Sequence, residues 1–206
     1  MEPFRTLTGI AAPLLEDDIN TDQITPVHRD MHPDYAKLLF QRRRFRADGS
    51  EEPGFVLNRP QYRNASILVA GRNFGCGSSR EGAVWAMLAV GMRCIVARSF
   101  ADIYRENCLR NGVLPVVLGA AEADAFEAKV LAVDGARPFT VDLAAQRISC
   151  PDGTAIAFDI AASDRMVLLE GLDEIGFSLK HLTEIEAWET RMKTQRSWLQ
   201  TLERTP

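Results

Sequence analysis

The chain has 206 residues, a formal net charge of −4, 46% hydrophobic residues and 25% charged residues. These are values of an ordinary globular protein that can bury one sizeable core, and the charge gives no reason to expect nucleic acid as a ligand. No apolar run is long enough to cross a bilayer, and the N-terminus lacks the pattern of a signal peptide, so we expect a cytoplasmic protein.

The N-terminal quarter is predicted to combine a strand with a long loop. Thr6 to Leu15 mixes apolar residues with Thr and Gly, as a strand would. Residues 17–26 are rich in Asp, Asn and Thr, whose side chains bond to nearby backbone, which predicts a loop. Residues 26–54 are polar, basic and interrupted by prolines, which indicates a long functional loop with one short helix from Tyr35 to Phe40.

The middle of the chain alternates short apolar runs with helical segments. We predict strands at residues 65–70, 94–97 and 113–118, separated by helices at about 79–90 and 100–111. Gly91 is placed as the C-terminal stop of the first helix. This order predicts parallel strands joined by right-handed crossovers, and therefore an α/β protein with a parallel βαβ core.

The remainder is predicted to contain a helix at residues 121–133, three short strands and a C-terminal helix at about 182–202. The three strands are expected at residues 139–143, 147–150 and 156–159. Because there is no internal repeat and no flexible linker, we predict a single domain over residues 1–206.

The four cysteines, Cys76, Cys94, Cys108 and Cys150, form no C-x-x-C pair and match no zinc or iron–sulfur spacing. In a reducing compartment such scattered cysteines are free thiols, often buried. We therefore predict that this chain alone holds no metal or other cofactor.

The segment that carries chemistry is the glycine-rich stretch at residues 73–81, between a predicted strand and a predicted helix. Glycines let the backbone approach a ligand, and N–H groups at a helix start favour an anion. Arg80 adds a planar fork suited to a carboxylate, beside the hydroxyls of Ser78 and Ser79. The residues alone therefore predict a carboxylate site next to a serine oxygen.

Simpler interpretations of the same residues stay open. Ser78 and Glu81 fit a capping box at the helix start, and Cys76 fits a structural thiol better than a nucleophile. The phosphate-loop, dinucleotide and nucleophile-elbow patterns do not match. The basic run at residues 42–46 is interpreted as a solvated or partner-facing patch in preference to an RNA site.

Five segments, in order and at compatible spacing, resemble one family. Residues 73–81, N-F-G-C-G-S-S-R-E, resemble the N-[FY]-G-x-G-S-S-R-E signature of the small or swivelling domains of the aconitase superfamily. The F-V-L-N and Q-Y at residues 55–62 resemble those of the isopropylmalate dehydratase small subunits within it. The other three are N-T-D-Q-I-T-P at 20–26, S-F-A-D-I-Y at 99–104 and G-L-D-E-I-G at 171–176.

The resemblance implies a swivelling β/β/α-type domain and one half of a hydro-lyase that interconverts 2- and 3-isopropylmalate by dehydration and rehydration, in leucine biosynthesis. It also implies a large-subunit partner that carries a 4Fe–4S cluster, and a small hydroxy-dicarboxylate as substrate. Membrane and nucleic acid partners are not expected.

The resemblance also assigns roles to individual residues. Ser78 matches the serine base, Arg80 the arginine that binds a substrate carboxylate, and Ser79 its hydrogen-bonding neighbour. Asp22 matches an active-site aspartate with an orienting role, and Thr25 matches a substrate-contacting position. For Asp22 and Thr25, stabilisation of a turn is an equally good interpretation.

Two departures from the family pattern bear on the substrate. Gly82 stands where the family has His, and His28 and Arg29 follow Pro26 where isopropylmalate enzymes commonly have a more apolar run. An isopropyl group prefers an apolar pocket, so His28 and Arg29 leave citramalate or dimethylmalate open as the substrate. Three other classes remain as alternatives: a hydrolase acting through Ser78 or Cys76, a non-catalytic anion-binding module, and an RNA-binding protein.

Overall fold

Two sheets form the framework of this computed structural model, which describes residues 1–27, 34–77, 81–196 and 198. The strands within those residues are β1 (Thr6–Gly9), β2 (Ala11–Leu14), β3 (Ile67–Ala70), β4 (Cys94–Ala97), β5 (Leu114–Val117), β6 (Phe139–Asp142), β7 (Arg147–Ser149) and β8 (Ala155–Ala157). The helices are α1 (Thr21–Ile24), α2 (Tyr35–Leu38), α3 (Gln41–Arg44), α4 (Gly82–Ala89), α5 (Asp102–Arg110), α6 (Ala120–Val133), α7 (Ala162–Glu170), α8 (Glu174–Leu179) and α9 (Leu182–Gln195), with 3₁₀ turns at Val56–Asn58 and Pro60–Tyr62.

The first sheet is parallel, in the order β2-β3-β4-β5, as the alternation of strands and helices predicts. All four residues of β3 and all four of β4 are buried, which is the reason that these strands are continuous apolar runs. Pro13 and Pro115 lie in β2 and β5, the two edge strands, where a missing N–H costs least. Gly91, with φ +82°, follows α4 as the predicted stop.

The parallel sheet has a hydrophobic core on each face. On one face Leu68, Ala70 and Ile95 pack with residues of α4, α5 and the loop regions. On the other face Ile67 and Val96 pack with α6, α7 and the second sheet. The sheet is therefore held rigidly from both sides, and the loops at its strand ends have a fixed base.

The second sheet is antiparallel, in the order β1-β6-β7-β8, and it corrects the prediction of one strand over Thr6–Leu15. The chain changes sheets at Ile10, so Thr6–Gly9 pairs with β6 and Ala11–Leu14 pairs with β3. Gly9 allows the crossing because a Cβ there would stand 1.8 Å from the Ser66 hydroxyl.

The chain divides into two compact units, residues 1–171 and 172–206. In the second unit, Asp173 caps α8 by accepting a hydrogen bond from the Gly176 N–H at 2.6 Å. Helix α9 begins at Leu182 as predicted and ends at Gln195, and none of its residues is buried. Residues 197 and 199–202 of the predicted helix lie outside the described residues. The prediction of one domain over residues 1–206 stays a prediction.

Candidate active site

Three loops meet at the carboxyl ends of neighbouring parallel strands. The acidic loop (residues 16–20) follows β2, the glycine-rich loop (residues 71–77) follows β3, and residues 98–101 follow β4. In open α/β sheets this edge is where ligands bind. Parts of three segments singled out in the sequence, residues 20–26, 73–77 and 99–104, thus come together in space.

Backbone hydrogen bonds join the acidic loop and α1 to the glycine-rich loop. The Gly75 N–H donates to the Ile19 carbonyl at 2.7 Å, and the Thr21 N–H donates to the Cys76 carbonyl at 2.9 Å. Asn20 and Cys76 form an isolated parallel bridge. The two loops therefore run side by side like short strands and are joined by backbone hydrogen bonds.

The third loop is joined to the glycine-rich loop in the same manner. The Phe74 N–H donates to the Ser99 carbonyl and the Ala101 N–H donates to the Phe74 carbonyl, both at 3.0 Å. The Phe74 side chain is fully buried and stands edge-on to Tyr104 of α5 at 5.4 Å. An aromatic layer therefore supports the glycine-rich loop from below.

Two residues of these loops have left-handed backbone conformations that side-chain hydrogen bonds stabilise. Asn73 has φ +53° and Asp18 has φ +57°. The Asn73 amide donates to the Asp18 carboxylate at 2.7 Å, and the Asn73 N–H donates to the Ser99 hydroxyl at 2.8 Å. Asn and Asp are the non-glycine residues that tolerate this region best, which accounts for their presence here.

Helix α1 corrects the prediction of a loop over residues 17–26. Its single turn is held by a capping box in which the Asn20 side chain accepts from the Gln23 N–H and the Gln23 side chain accepts from the Asn20 N–H, both at 2.8 Å. The N-x-x-Q spacing is a usable signal for this turn, although the Asp, Asn and Thr content of the segment favours a loop. The turn places Asp22 and Thr25 along a cavity of about 360 Å³.

The cavity is lined by both polar and apolar residues. Among the described residues the polar ones are Thr21, Asp22, Thr25 and Glu81, and the others are Pro26, Val27, Tyr35, Gly82, Ala83 and Trp85. Val27 and Glu81 directly adjoin residues 28–33 and 78–80.

Of the predicted site residues, Asp22 and Thr25 lie on this cavity, while Ser78, Ser79, Arg80, His28 and Arg29 lie outside the described residues. Their predicted roles stay predictions. The proposed capping box of Ser78 with Glu81 lies there too.

Thr25 has an unusual environment for a hydroxyl. Its side chain is 7% exposed, and its Oγ1 has no hydrogen-bond partner in the part of the chain that the structure describes. A buried hydroxyl without a partner costs about 1–3 kcal/mol. Thr25 lines the cavity, but its Oγ1 atom is itself buried.

The apolar part of the cavity lining was not predicted from the sequence. The rings of Tyr35 and Trp85 meet edge-on with centroids 5.5 Å apart. Helical spacing puts Glu81, Gly82 and Trp85 on one face at the start of α4. This spacing is a usable signal for the part of the lining that α4 contributes. Tyr35 reaches it only through the tertiary packing of α2 on α4, which no local pattern reports.

The cysteines are free thiols in the structure, as predicted, and three of the four are buried. Burial raises the pKa of the Cys94 and Cys108 thiols well above the usual range, so both stay protonated. The half-buried Cys76 thiol donates to the Asp18 carbonyl at 3.4 Å, which fits a structural role in the loop. Over residues 1–27, 34–77, 81–196 and 198, no group of three or more His, Cys, Asp or Glu side chains could hold a metal ion.

The arginine run at residues 42–46 is largely engaged within the chain. Arg43 forms a two-pronged ion pair with Glu16, and Arg46 pairs with Glu52 at 3.0 Å. Arg44 donates to the Ala36 carbonyl at 2.9 Å, and burial lowers its pKa. These contacts stabilise the 26–54 region and favour the structural interpretation of the run over an RNA site.

Together, the sheet order and the cavity define an α/β domain with a cavity beside the carboxyl ends of its parallel strands. The family model described as the aconitase C-terminal domain matches residues 1–121, and the LeuD model, described as LeuD_N, matches residues 121–162. The chain belongs to the aconitase C-terminal domain family, and the predicted aconitase-type α/β fold is confirmed.

Full-length relatives narrow the family further. A 3-isopropylmalate dehydratase small subunit of Rhodopseudomonas palustris (strain TIE-1) is 46% identical over 201 residues, covering 96% of this chain and 100% of the relative. The protein of the same name from Dinoroseobacter shibae is 47% identical over 206 residues, covering 97% and 100%. A crystal structure of 3-isopropylmalate dehydratase (leuD) from Methanocaldococcus jannaschii aligns with a TM-score of 0.60 at 25% identity, over 89% of this chain and 99% of that one.

No helix in the described part of the chain is both long enough and apolar enough to span a membrane.

Proposed function

We propose that this chain is the small component of a hydro-lyase that isomerises 2-isopropylmalate to 3-isopropylmalate in leucine biosynthesis, and that it acts in the cytoplasm only with a large subunit. The observation that carries the proposal is the full-length similarity, at 46–47% identity, to proteins named 3-isopropylmalate dehydratase small subunit. The mixed polar and apolar lining of the cavity supports it, since the substrate has both oxygen-rich and alkyl parts.

The chain contributes a base and a carboxylate-binding group. Ser78 removes the proton from the carbon next to a substrate carboxylate, and Arg80 binds a carboxylate through its planar fork, with Ser79 as a further hydrogen-bond donor. A serine hydroxyl is too weak a base at neutral pH, so its alkoxide must be stabilised. The positive charge of Arg80 and the N–H groups at the start of α4 are the available stabilising groups.

Asp22 and Thr25 orient the substrate from the polar part of the cavity lining. Asp22 lies in the first turn of α1, which the Asn20–Gln23 capping box fixes. Thr25 follows that turn directly. His28 and Arg29 complete the substrate-facing loop.

The 4Fe–4S cluster implied by family membership does not fit the described residues of this chain. Such clusters are bound by several cysteine thiolates, whereas Cys94 and Cys108 are buried and protonated and Cys76 stands alone in its loop. We assign the cluster to the large-subunit partner, and this chain supplies the base and the substrate contacts described above.

The apolar part of the lining favours an alkylmalate. Pro26, Val27, Tyr35 and Trp85 offer carbon surface and aromatic rings that suit an alkyl substituent. Citramalate and dimethylmalate remain chemically compatible, so both belong among the substrates to be assayed.

The test is anaerobic co-expression with a large subunit, followed by dehydration assays with 2-isopropylmalate, citramalate, dimethylmalate and citrate. Ser78→Ala should abolish nearly all turnover with little change in substrate affinity. Arg80→Lys should mainly raise KM, because a point charge cannot replace the two-pronged contact. Ser163→Ala, at an exposed serine on α7, is the matched control and should behave as wild type. Full activity of Ser78→Ala, or activity of the chain without a partner, would refute the assignment.

A further inference from the structure

The described residues that line the cavity carry negative charge. They include the carboxylates of Asp22 and Glu81, and among them there is no lysine, arginine or histidine. A hydroxy-dicarboxylate is repelled by these carboxylates, so it depends on N–H and O–H donors that bind its oxygens. The side-chain hydroxyls of the described lining are neutral groups that can donate in this way.

Three described residues of the lining carry a hydroxyl, and they differ in exposure. Thr21 and Thr25 are 3% and 7% exposed, and the Thr25 Oγ1 atom is itself buried. Tyr35 is only half-buried. A phenol can donate one hydrogen bond while it accepts others, so a ligand can share this hydroxyl with groups of the protein. Of the three residues, Tyr35 is therefore best placed to meet a substrate oxygen.

The Tyr35 hydroxyl lies beside position 82. A Cβ built on Gly82 would be in ordinary contact with the Tyr35 ring, 3.4 Å from Cε1, and 4.0 Å from the hydroxyl oxygen. Glycine stands here where the family pattern has His. A side chain that extended from position 82 would therefore reach the same part of the cavity as the Tyr35 hydroxyl, one from the start of α4 and the other from α2.

The Tyr35 ring is held in place by its neighbours. The Trp85 ring stands edge-on to it at 5.5 Å, and the Trp85 Nε1 donates to the Asn111 side-chain oxygen at 2.9 Å. On the other side of Tyr35 in the sequence, the Asp34 carboxylate caps α2 by accepting from the Lys37 N–H at 3.3 Å. The hydroxyl is therefore presented from a defined position, which lowers the entropy cost of binding a ligand.

We propose that Tyr35 is a further substrate-binding residue, whose hydroxyl donates to an oxygen of the hydroxy-dicarboxylate and takes the place of the side chain that the family carries at position 82. The inference rests on the proposed function and adds to it a contact made from α2. The cavity keeps a polar group at this point, while the residue that supplies the group changes from position 82 to position 35.

The experiment compares co-expressed holoenzymes in the dehydration of 2-isopropylmalate. Tyr35→Phe removes only the hydroxyl, and we expect KM to rise about tenfold while kcat changes by less than about twofold, because a donor to the bound substrate is lost. Tyr35→Phe combined with Gly82→His returns a polar side chain from α4, and KM should fall back to within about threefold of the wild-type value.

Tyr62→Phe is the matched control. It also loses a phenol hydroxyl, but that hydroxyl donates to the Asp134 carboxylate at 3.0 Å, and Tyr62 is not among the residues that line the cavity. Its KM at neutral pH should equal that of wild type. Urea denaturation of Tyr35→Phe should match wild type, which separates a lost substrate contact from a loosened fold.

The outcomes separate the inference from the proposed function. A wild-type holoenzyme that does not turn over 2-isopropylmalate would refute the function and the inference with it. An active wild type whose Tyr35→Phe variant keeps its KM would overturn the inference and leave the function standing. A raised KM that Gly82→His does not lower would overturn the exchange between the two positions, since a merely structural hydroxyl gains nothing from a side chain at residue 82.

Discussion

Replacing Gly75 by alanine tests whether the glycine-rich loop depends on its close packing against α5. Gly75 has φ +79°, where a Cβ costs about 1–2 kcal/mol. The new Cβ would also stand 2.1 Å from Cγ of Tyr104, a fully buried ring that packs against Phe74 and cannot turn away freely. Overpacking of this kind costs about 1–3 kcal/mol. We therefore expect Gly75→Ala to lower the free energy of unfolding by about 2–5 kcal/mol.

Gly49→Ala provides the matched control. Gly49 has φ +83°, but no atom lies within 4 Å of the Cβ that alanine would add, so only the backbone cost remains. The loss of unfolded-chain entropy is the same in both variants and cancels in the comparison. Urea denaturation of the two variants, with unchanged m-values, should show Gly75→Ala less stable than Gly49→Ala by about 1–3 kcal/mol. Equal losses would show that Tyr104 yields without cost and that its ring does not hold the loop.

Two further substitutions test contacts of the 3₁₀ turns at Val56–Asn58 and Pro60–Tyr62. Asn58→Ala removes a buried carboxamide that donates to the Arg44 and Glu52 carbonyls at 2.7 and 2.9 Å. We therefore expect the free energy of unfolding, measured by urea denaturation, to fall by about 2–4 kcal/mol. A decrease under about 1 kcal/mol would contradict this role. Burial and a hydrogen bond to Asp134 raise the pKa of Tyr62 to about 12, so its contribution to stability is complete below its usual pKa near 10 and is lost as pH rises through 12. Tyr62→Phe should therefore flatten the alkaline limb of a stability–pH curve, and an unchanged limb would count against that assignment.

The parallel sheet could be predicted well from the sequence because its strands are buried on both faces. Residues 94–97 form a strand with the predicted ends, and residues 113–118 are trimmed by only one residue at each end. Where the outcome depends on distant contacts, local patterns failed. The apolar and Thr-rich run from Thr6 to Leu15 gives no sign that its two halves belong to different sheets, since Gly9 is required by Ser66, far along the chain.

Part of the candidate site could also be predicted from the sequence and part could not. Its motif segments could be predicted because the glycines, Asn73 and Asp22 either suit the local backbone conformation or match a family signature. The contact between the Tyr35 and Trp85 rings cannot be predicted from the sequence, because the two residues belong to separate helices and become neighbours only when α2 packs on α4. The capping box of α1 is within reach of the sequence, but the same Asn and Asp residues also form turns, and composition alone does not separate the two.

The crossing of the N-terminal segment from one sheet to the other has a consequence for synthesis on the ribosome. Within the described residues strand β1 pairs with β6, and the hydroxyls of Thr8 and Thr140, which meet at 2.9 Å, are 132 positions apart. At roughly 5–20 residues per second, β1 emerges many seconds before β6. During that interval the unpaired edge of β1 is available to other chains, so this strand needs protection against misassembly until β6 has been made.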